Sequence, residues 1–460
     1  MEPRSAYLHL PFCHRRCFYC DFAVVPLGDR ADGANSGSIA AYLELLHGEI
    51  HATAAAAATA AAATAAITAT ATAAPPLSTV YFGGGTPSML TPPQVAALLA
   101  TLRQAFGLAP GAEISLELDP ASFDRPRLAG YLEAGINRVS LGGQSFDDDV
   151  LEALGRRHRA SQLLEATHWL AQAQRCGDLA SWSLDLIQGL PRQTASHWRQ
   201  QLDRAIATGA PHLSVYDLIV EPGTVFARRQ ERGELPLPDD DLAADLMELT
   251  WQQLVAAGYG HYEISNYALP GHASRHNRVY WSGAGWWGFG MGATSAPYGR
   301  RLARPRTREG YARWLEEGMP TATGEAGEPG QGGAGGMPAD ELLLVGLRRR
   351  EGVNLSRLAA HHGLRSEQLA ALRRQLAPWE ARGLLEVMGP RWRLSDPAGL
   401  ALSNGVLREL LAWWQEQPQA PGWDGAGPRS SGAMPPPPAS AGPGLPPRAP
   451  PPPAKTALQS

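Results

Sequence analysis

Six short β-rich runs punctuate the first half of the chain, and their spacing restricts the fold more than any other feature. They are Tyr7–Leu10, Thr79–Phe82, Ile114–Leu118, Arg138–Leu141, Ser183–Ile187 and Leu213–Ile219. Gly, Pro or Asp follows each within a few residues, and amphipathic helical patterns separate most of them. Val95, Leu98, Leu99, Leu102 and Phe106 repeat at three-to-four spacing, and Leu242, Leu246, Leu249 and Leu254 do so less regularly. Strands alternating with helices in this way imply βα units and a parallel sheet. Six units fall short of a closed eightfold barrel. The expected class is α/β, an open, partial (β/α)6 barrel with its chemistry at the C-terminal strand ends.

The rest of the chain divides by composition. Residues 1–230 form the expected barrel core, and 231–320 an aromatic, Gly-rich extension entered through the Pro/Asp turn at Pro236 to Asp241. Residues 321–338 (TATGEAGEPGQGGAGGMP) lack periodicity and read as a flexible linker. Residues 339–414 suggest a small α+β module, with two or three helices and a strand pair, Leu384–Val387 and Trp392–Leu394, in a winged-helix-like order. Its Arg348-Arg349-Arg350 run reads as a solvated face. Residues 415–460 hold two runs of four prolines and are expected to be disordered or polyproline II.

Two filters bound the function. Lys+Arg 40 against Asp+Glu 44 leaves a net charge of −4, which excludes the basic footprint of a nucleic-acid binder. The uncharged stretch 52–74 holds sixteen Ala and six Thr, long enough for a span but too weakly apolar, so it reads as a loop insertion or a helix extension and no integral membrane segment is expected. Met1 to Ser5 is too short for a leader, which points to the cytoplasm; a start upstream of Met1 would admit a chloroplast or mitochondrial leader. A homodimer is left open.

Cys13, Cys17 and Cys20 stand at CxxxCxxC spacing just after the first strand. Thiolates are the ligands iron–sulfur clusters need, one per iron. Three on one loop can hold three irons of a 4Fe-4S cluster and leave the fourth open to a substrate or cofactor. Zinc would require a fourth ligand, which His14 could supply only awkwardly. Cys176, in a separate helical stretch, reads as an inert thiol.

CxxxCxxC at the end of a first strand, with an aromatic before the last Cys, resembles the radical S-adenosylmethionine (SAM) superfamily. Further segments follow in order: Tyr81-Phe82-Gly83-Gly84-Gly85-Thr86-Pro87, Ser115 to Pro120, Asn137 to Phe146, Leu154 to His158 and Leu184 to Pro191. They resemble the group containing the oxygen-independent coproporphyrinogen III oxidases (HemN) and the heme chaperones (HemW), over roughly residues 5 to 410. The resemblance implies a HemN-type C-terminal domain, a 4Fe-4S cluster on Cys13, Cys17 and Cys20, and SAM contacts from Tyr7, Tyr19, Gly84, Gly85, Thr86, Glu117, Gln144, Arg156 and Asp185. The glycines would let the backbone approach the cofactor, and Arg156 suits a carboxylate.

Two features separate the branches of the group. The oxidases carry a further Cys two residues after the third, where this chain has Phe22, and His276-Asn277-Arg278-Val279-Tyr280-Trp281 matches the HNxxYW segment of the chaperones. The resemblance therefore implies heme as cargo and apo-hemoproteins as recipients, with His276, Tyr280 and Trp281 as heme candidates, although HNxxYW could instead brace the barrel. The alternative is oxygen-independent oxidation of coproporphyrinogen III in porphyrin biosynthesis, against which the absent Cys counts. Whether the protein is an enzyme stays undecided at this point, and no catalytic residue is assigned. One departure is Thr294, where the family often has His.

Overall fold

A computed structural model describes residues 3–68, 75–299, 301–319 and 337–416. Nearly all of the expected linker, and the Pro-rich tail beyond residue 416, lie outside the described residues. The six expected strands are present in order: β1 (Ser5–Leu10), β2 (Leu77–Gly84), β3 (Leu108–Leu118), β4 (Arg138–Gln144), β5 (Ser181–Gln188) and β6 (His212–Asp217). Three more belong to the same sheet: β7 (Gly260–Glu263), β8 (Asn266–Ala268) and β9 (Trp287–Phe289). The sheet order is β9-β1-β2-β3-β4-β5-β6-β8-β7, parallel from β9 through β6 and antiparallel at β8 and β7. It is an open sheet of nine strands.

The period-two alternation of these strands decides what faces where. Ala6, Leu8 and Leu10, Val80 and Phe82, Ile114 and Leu116, Val139 and Leu141, and Leu184 and Leu213 are all buried in one hydrophobic core with the surrounding helices. Helix Pro92–Phe106 contributes Val95, Leu98, Leu99 and Leu102 to it, from its buried face. The intervening positions are polar and in register across the sheet. Tyr7 pairs with Tyr81, Tyr81 with Ser115, Ser115 with Arg138, Ser140 with Ser183, and Ser183 with His212. Side chains from β2 through β6 line one small common cavity, so the polar face is the inside of the curved sheet.

Helix Gly37–Thr68 settles the two readings of the Ala/Thr run as far as the described residues reach: through Thr68 it extends a helix. The first half of that helix packs Ile39, Tyr42, Leu46 and Ile50 into the core. No helix among the described residues is long and apolar enough to cross a membrane.

The extension returns to the barrel through a buried carboxylate. Glu49, 0% exposed, accepts hydrogen bonds from Gly290 N–H (2.7 Å), Arg304 Nε (2.8 Å) and Tyr311 Oη (2.6 Å). Tyr42 Oη donates to His9 O and accepts from Met291 N–H, beside the same Gly290. A Cβ on Gly290 would lie 2.4 Å from Tyr42 Oη and 2.7 Å from His9 O, and its φ of +97° also demands glycine.

The C-terminal module has its own core, which includes Leu343, Leu372, Trp392 and Leu410. Its three-stranded sheet places Arg391–Leu394 between Val353–Asn354 and Leu385–Met388, flanked by helices Ser366–Ala381 and Ser403–Glu416. The Arg run departs from the expected solvated face at Arg348 and Arg349, while Arg350 is exposed. Arg348 is buried and donates to Asn404 Oδ1 at 3.0 Å; Arg349 forms a β-bridge with Glu263; Arg350 N–H donates to Tyr262 O at 3.2 Å. The run therefore caps the free edge of β7, where unpaired backbone groups would otherwise remain. His261 Nδ1 adds a 2.7 Å contact to Asp396 Oδ1.

Glu49→Ala is expected to destabilise the fold by about 3 kcal/mol or more, because it strands the Arg304 guanidinium, whose side chain is 5% exposed. Chemical denaturation of the variant checks this, and a loss below about 1 kcal/mol would contradict the role given to the pair.

Candidate functional site

The C-terminal end of β1 runs directly into the cysteine loop. Phe12–Cys13 pairs in parallel with Val25–Pro26, and Val25 N–H donates to Pro11 O while Leu27 N–H donates to Cys13 O, which closes the loop on itself. Phe18 anchors its far side: its N–H donates to Leu154 O, its carbonyl accepts from Phe226 N–H, and Arg229 lies over its ring. Gly155 is required there, since a Cβ would meet that ring at 3.1 Å and φ is +75°.

The glycine run after β2 lies against this loop. Gly85 N–H donates to Leu10 O and Thr86 N–H to Phe12 O. A Cβ on Gly85 would fall 2.5 Å from Phe12 O, and one on Gly83 2.8 Å from the Tyr7 ring. In this structure the missing side chains thus serve contacts within the protein, between the run and the cysteine loop.

The thiols stand in one another's field. Burial pushes Cys13 up to about 12, with the neighbouring Cys20 and Cys17 adding to it; burial pushes Cys20 up to about 11. Such thiols stay protonated without a strong positive charge to offset their ionisation, which is what bound iron provides. Among the described residues no three His, Cys, Asp or Glu side chains converge as ligands of a single ion do. A cubane places each thiolate on a different iron and does not ask for that convergence. Three thiols on one loop are the donor set that a cluster takes. Cys176 is exposed.

Arg156 is engaged differently from the sequence expectation. It donates from Nη2 to Asp119 Oδ2 and to Gly142 O, both at 2.8 Å, and Nη1 approaches Cys17 Sγ at 3.8 Å. Burial pushes the Asp119 carboxyl up, but Arg156, His158, the Ala121 N–H and Arg157 together outweigh it and hold the group below its ordinary range. Arg156 Nε is buried without a partner. Asp119, which sequence reasoning did not single out, is the residue that orients this guanidinium. Burial raises Tyr19 well above its usual range, with the adjacent Cys17 adding to it.

Glu117 and Asp185 line the inner wall just below the mouth. Glu117 Oε1 accepts from Tyr81 Oη and Oε2 from Gly84 N–H, both at 3.0 Å. Burial pushes its pKa up to about 7. Asp185 accepts from Ser140 Oγ at 2.8 Å and is likewise raised by burial. Gln144 adopts φ +63°, a left-handed conformation unusual for a side chain of its size, at the end of β4. Tyr7 Oη meets His9 Nδ1 at 3.0 Å, and His9 Nε2 donates to Ala23 O. The structure thus brings the candidate residues of β1 through β5 to one end of the barrel.

HNxxYW lies at the other end. It occupies helix Arg275–Ser282, whose first N–H groups, Arg275 and His276, donate to Glu113 on β3. His276 is 1% exposed; Nδ1 pairs with Thr79 Oγ1 and Nε2 with Tyr280 Oη, both at 2.8 Å, and its ring stacks on Tyr81. Burial pushes its pKa down to about 3, so the ring is neutral. Both ring nitrogens are thus hydrogen-bonded within a buried side chain, the arrangement the bracing reading of HNxxYW expects. Tyr280 packs edge-on against both His276 and Trp286, and Trp281 is buried. Thr294, the departure from the family, is buried with its hydroxyl unpartnered, while its carbonyl accepts from Trp286 Nε1.

Residues 7–205 match the family model of the radical SAM superfamily, and 338–401 that of the HemN C-terminal domain. The heme chaperone HemW of Synechocystis sp. is 38% identical over 436 residues, 90% of this chain and 98% of that protein. The heme chaperone HemW of Escherichia coli is 33% identical over 415 residues, 90% of this chain and 99% of that one. The solved structure of coproporphyrinogen III oxidase (HemN) from Escherichia coli superposes with a TM-score of 0.68 at 22% identity, covering 89% of this chain and 90% of the other; the two share the fold.

Glu117 gives the site a pH signature. Its pKa is raised in the fold, so its contribution to stability is present below the unfolded value near 4.5 and is lost as pH rises through about 7. Without SAM, Glu117→Gln should gain stability relative to wild type at pH 8 but not at pH 4. Urea titrations at the two pH values measure it, and an equal difference at both would contradict the burial argument.

Proposed function

Because the chain belongs to the HemW family of radical SAM proteins, we propose that it is a radical SAM heme chaperone, which binds heme and delivers it to apo-hemoproteins. The observation that carries this reading is the similarity to heme chaperones over nearly their whole length, with the cysteine loop seated at the barrel mouth beside Glu117 and Arg156. Cys13, Cys17 and Cys20 would each ligate one iron of a 4Fe-4S cluster, and the fourth iron would take the amino and carboxylate groups of SAM. When bound, the cluster supplies an electron and an open iron to the cofactor. The remaining work falls to the chain's own side chains.

Arg156, held by Asp119, places its guanidinium beside Cys17 Sγ, 3.8 Å from Nη1. Its unpartnered Nε leaves one donor for the cofactor carboxylate. Glu117 and Asp185 offer acceptors to the amine and to the ribose hydroxyls, with Ser140 fixing the Asp185 carboxylate. Tyr7, Tyr19, Gly84, Gly85, Thr86 and Gln144 frame the same opening. We assign His276 the bracing role: Thr79, Tyr81 and Glu113 tie the helix to β2 and β3 while Tyr280 holds the ring from within the helix, and heme is taken up elsewhere on the protein. The oxidase alternative is not favoured: the full-length relatives are heme chaperones, and Phe22 stands where the further Cys would be.

Anaerobically reconstituted protein should hold about four irons per chain. Cys13→Ala, Cys17→Ala and Cys20→Ala should each lose them, and Cys176→Ala should not; stoichiometric zinc without iron would sink the cluster. In a side-by-side anaerobic assay the protein should transfer heme to an apo-hemoprotein and form no product from coproporphyrinogen III, and the reverse result would overturn the chaperone reading. His276→Ala should melt at lower temperature, with heme binding per folded molecule unchanged. A well-folded variant that had lost heme affinity would instead make His276 the ligand.

A further inference from the structure

Three buried polar atoms have no protein partner and open onto the same place. Ser115 Oγ, Arg138 Nη2 and His212 Nδ1 are all unpaired, in residues 1%, 5% and 1% exposed. All three residues line the small cavity inside the barrel, of about 40 Å³, which is otherwise walled by hydroxyls, among them Ser140 and Ser183, and by Asn277 from the HNxxYW helix. Isolated orphaned donors are rare in folded proteins, so three converging on one cavity call for an occupant.

The chemistry of that occupant follows from the donors. Tyr262 Oη accepts from Ser274 N–H and pairs with His212 Nε2, 2.8 Å away. Burial holds this imidazole neutral, so Nδ1 faces the cavity as a donor in one tautomer and as an acceptor in the other. Arg138 is a permanent cation whose Nη1 already donates to His272 O and lies 3.9 Å from Glu113. An anion in the cavity would lie between Glu113 below and the Asp185 carboxyl, held by Ser140, above. A cation would face Arg138 directly. Only a small neutral molecule that both donates and accepts meets every group.

We propose that this cavity is a built binding site for internal water, about two or three molecules by its volume. The waters accept from Arg138 Nη2 and bond to His212 Nδ1 and Ser115 Oγ, to which water can both donate and accept. They join two parts of the molecule that make no direct contact through these groups: the Ser140–Asp185 pair toward the mouth, and Ser274 with Asn277 at the base. The HNxxYW helix then has a second task besides bracing, which is to close the wet interior of the barrel from below.

A high-resolution crystal structure of the full chain, with a parallel bromide soak, tests the proposal. The expected result is ordered water density within hydrogen-bond distance of Ser115 Oγ, Arg138 Nη2 and His212 Nδ1, and no anomalous bromide peak. A bromide peak there would replace water with an anion site, and an empty cavity would overturn the proposal outright. Stability gives an independent sign. If water is bound, Ser115→Val expels it, strands Arg138 Nη2 and His212 Nδ1 and lowers the melting temperature by more than Ser115→Ala does. If the cavity is dry, Ser115→Val fills a void and raises it. Should the valine variant not fold, Ser115→Ala and the diffraction experiment still decide.

Discussion

The strands of this barrel alternate apolar and polar residues, and everything else in the molecule depends on that alternation. Parallel strands covered on both faces usually read as continuous apolar runs. Here most alternate residues are Ser, Thr, Tyr, His, Arg, Asp or Glu, and the register aligns them from β1 to β6. The outer face supplies the hydrophobic core with the helices. The inner face supplies a polar wall that would be costly to bury unless its groups were paired with one another, with a ligand or with water. The structure meets that demand in three tiers: Glu113, Thr79 and His276 at the base, the small cavity in the middle, and Glu117, Asp185 and the cysteine loop at the mouth.

Much of this was legible in the sequence. The six strands stood out because each is apolar at alternate positions and is stopped by Gly, Pro or Asp. The cysteine spacing and the glycine run identified one end of the barrel. Strands β7, β8 and β9 were not legible, because they are three or four residues long and lie in an aromatic, Gly-rich stretch where their pairing is set by β1 and β6 rather than by their own pattern. Glu49 was equally silent: a lone Glu on an amphipathic helix looks solvated, and only Gly290, Arg304 and Tyr311, far along the chain, make it a buried acceptor.

The departures from sequence expectation share a physical cause. Charge runs commonly face solvent, yet Arg348 is buried against Asn404 and Arg349 pairs with the edge of β7, while Arg350 stays exposed. Imidazole is a good metal ligand, and in this structure Thr79 and Tyr280 hold both nitrogens of His276. Arg156 suits a carboxylate, and Asp119 already holds its Nη2, leaving Nε as the group unaccounted for. In each case the residue type is legible in the sequence and the partner is not.

The central claim is that the mouth of the barrel holds a cluster with one iron open to SAM. Mössbauer spectroscopy of protein reconstituted with ⁵⁷Fe, recorded with and without SAM, tests it most directly. The expected result is a cluster spectrum in which a single iron subsite changes on adding SAM while the three thiolate-bound irons do not. A spectrum that SAM leaves unchanged, or one in which all the irons are equivalent in both samples, would contradict it.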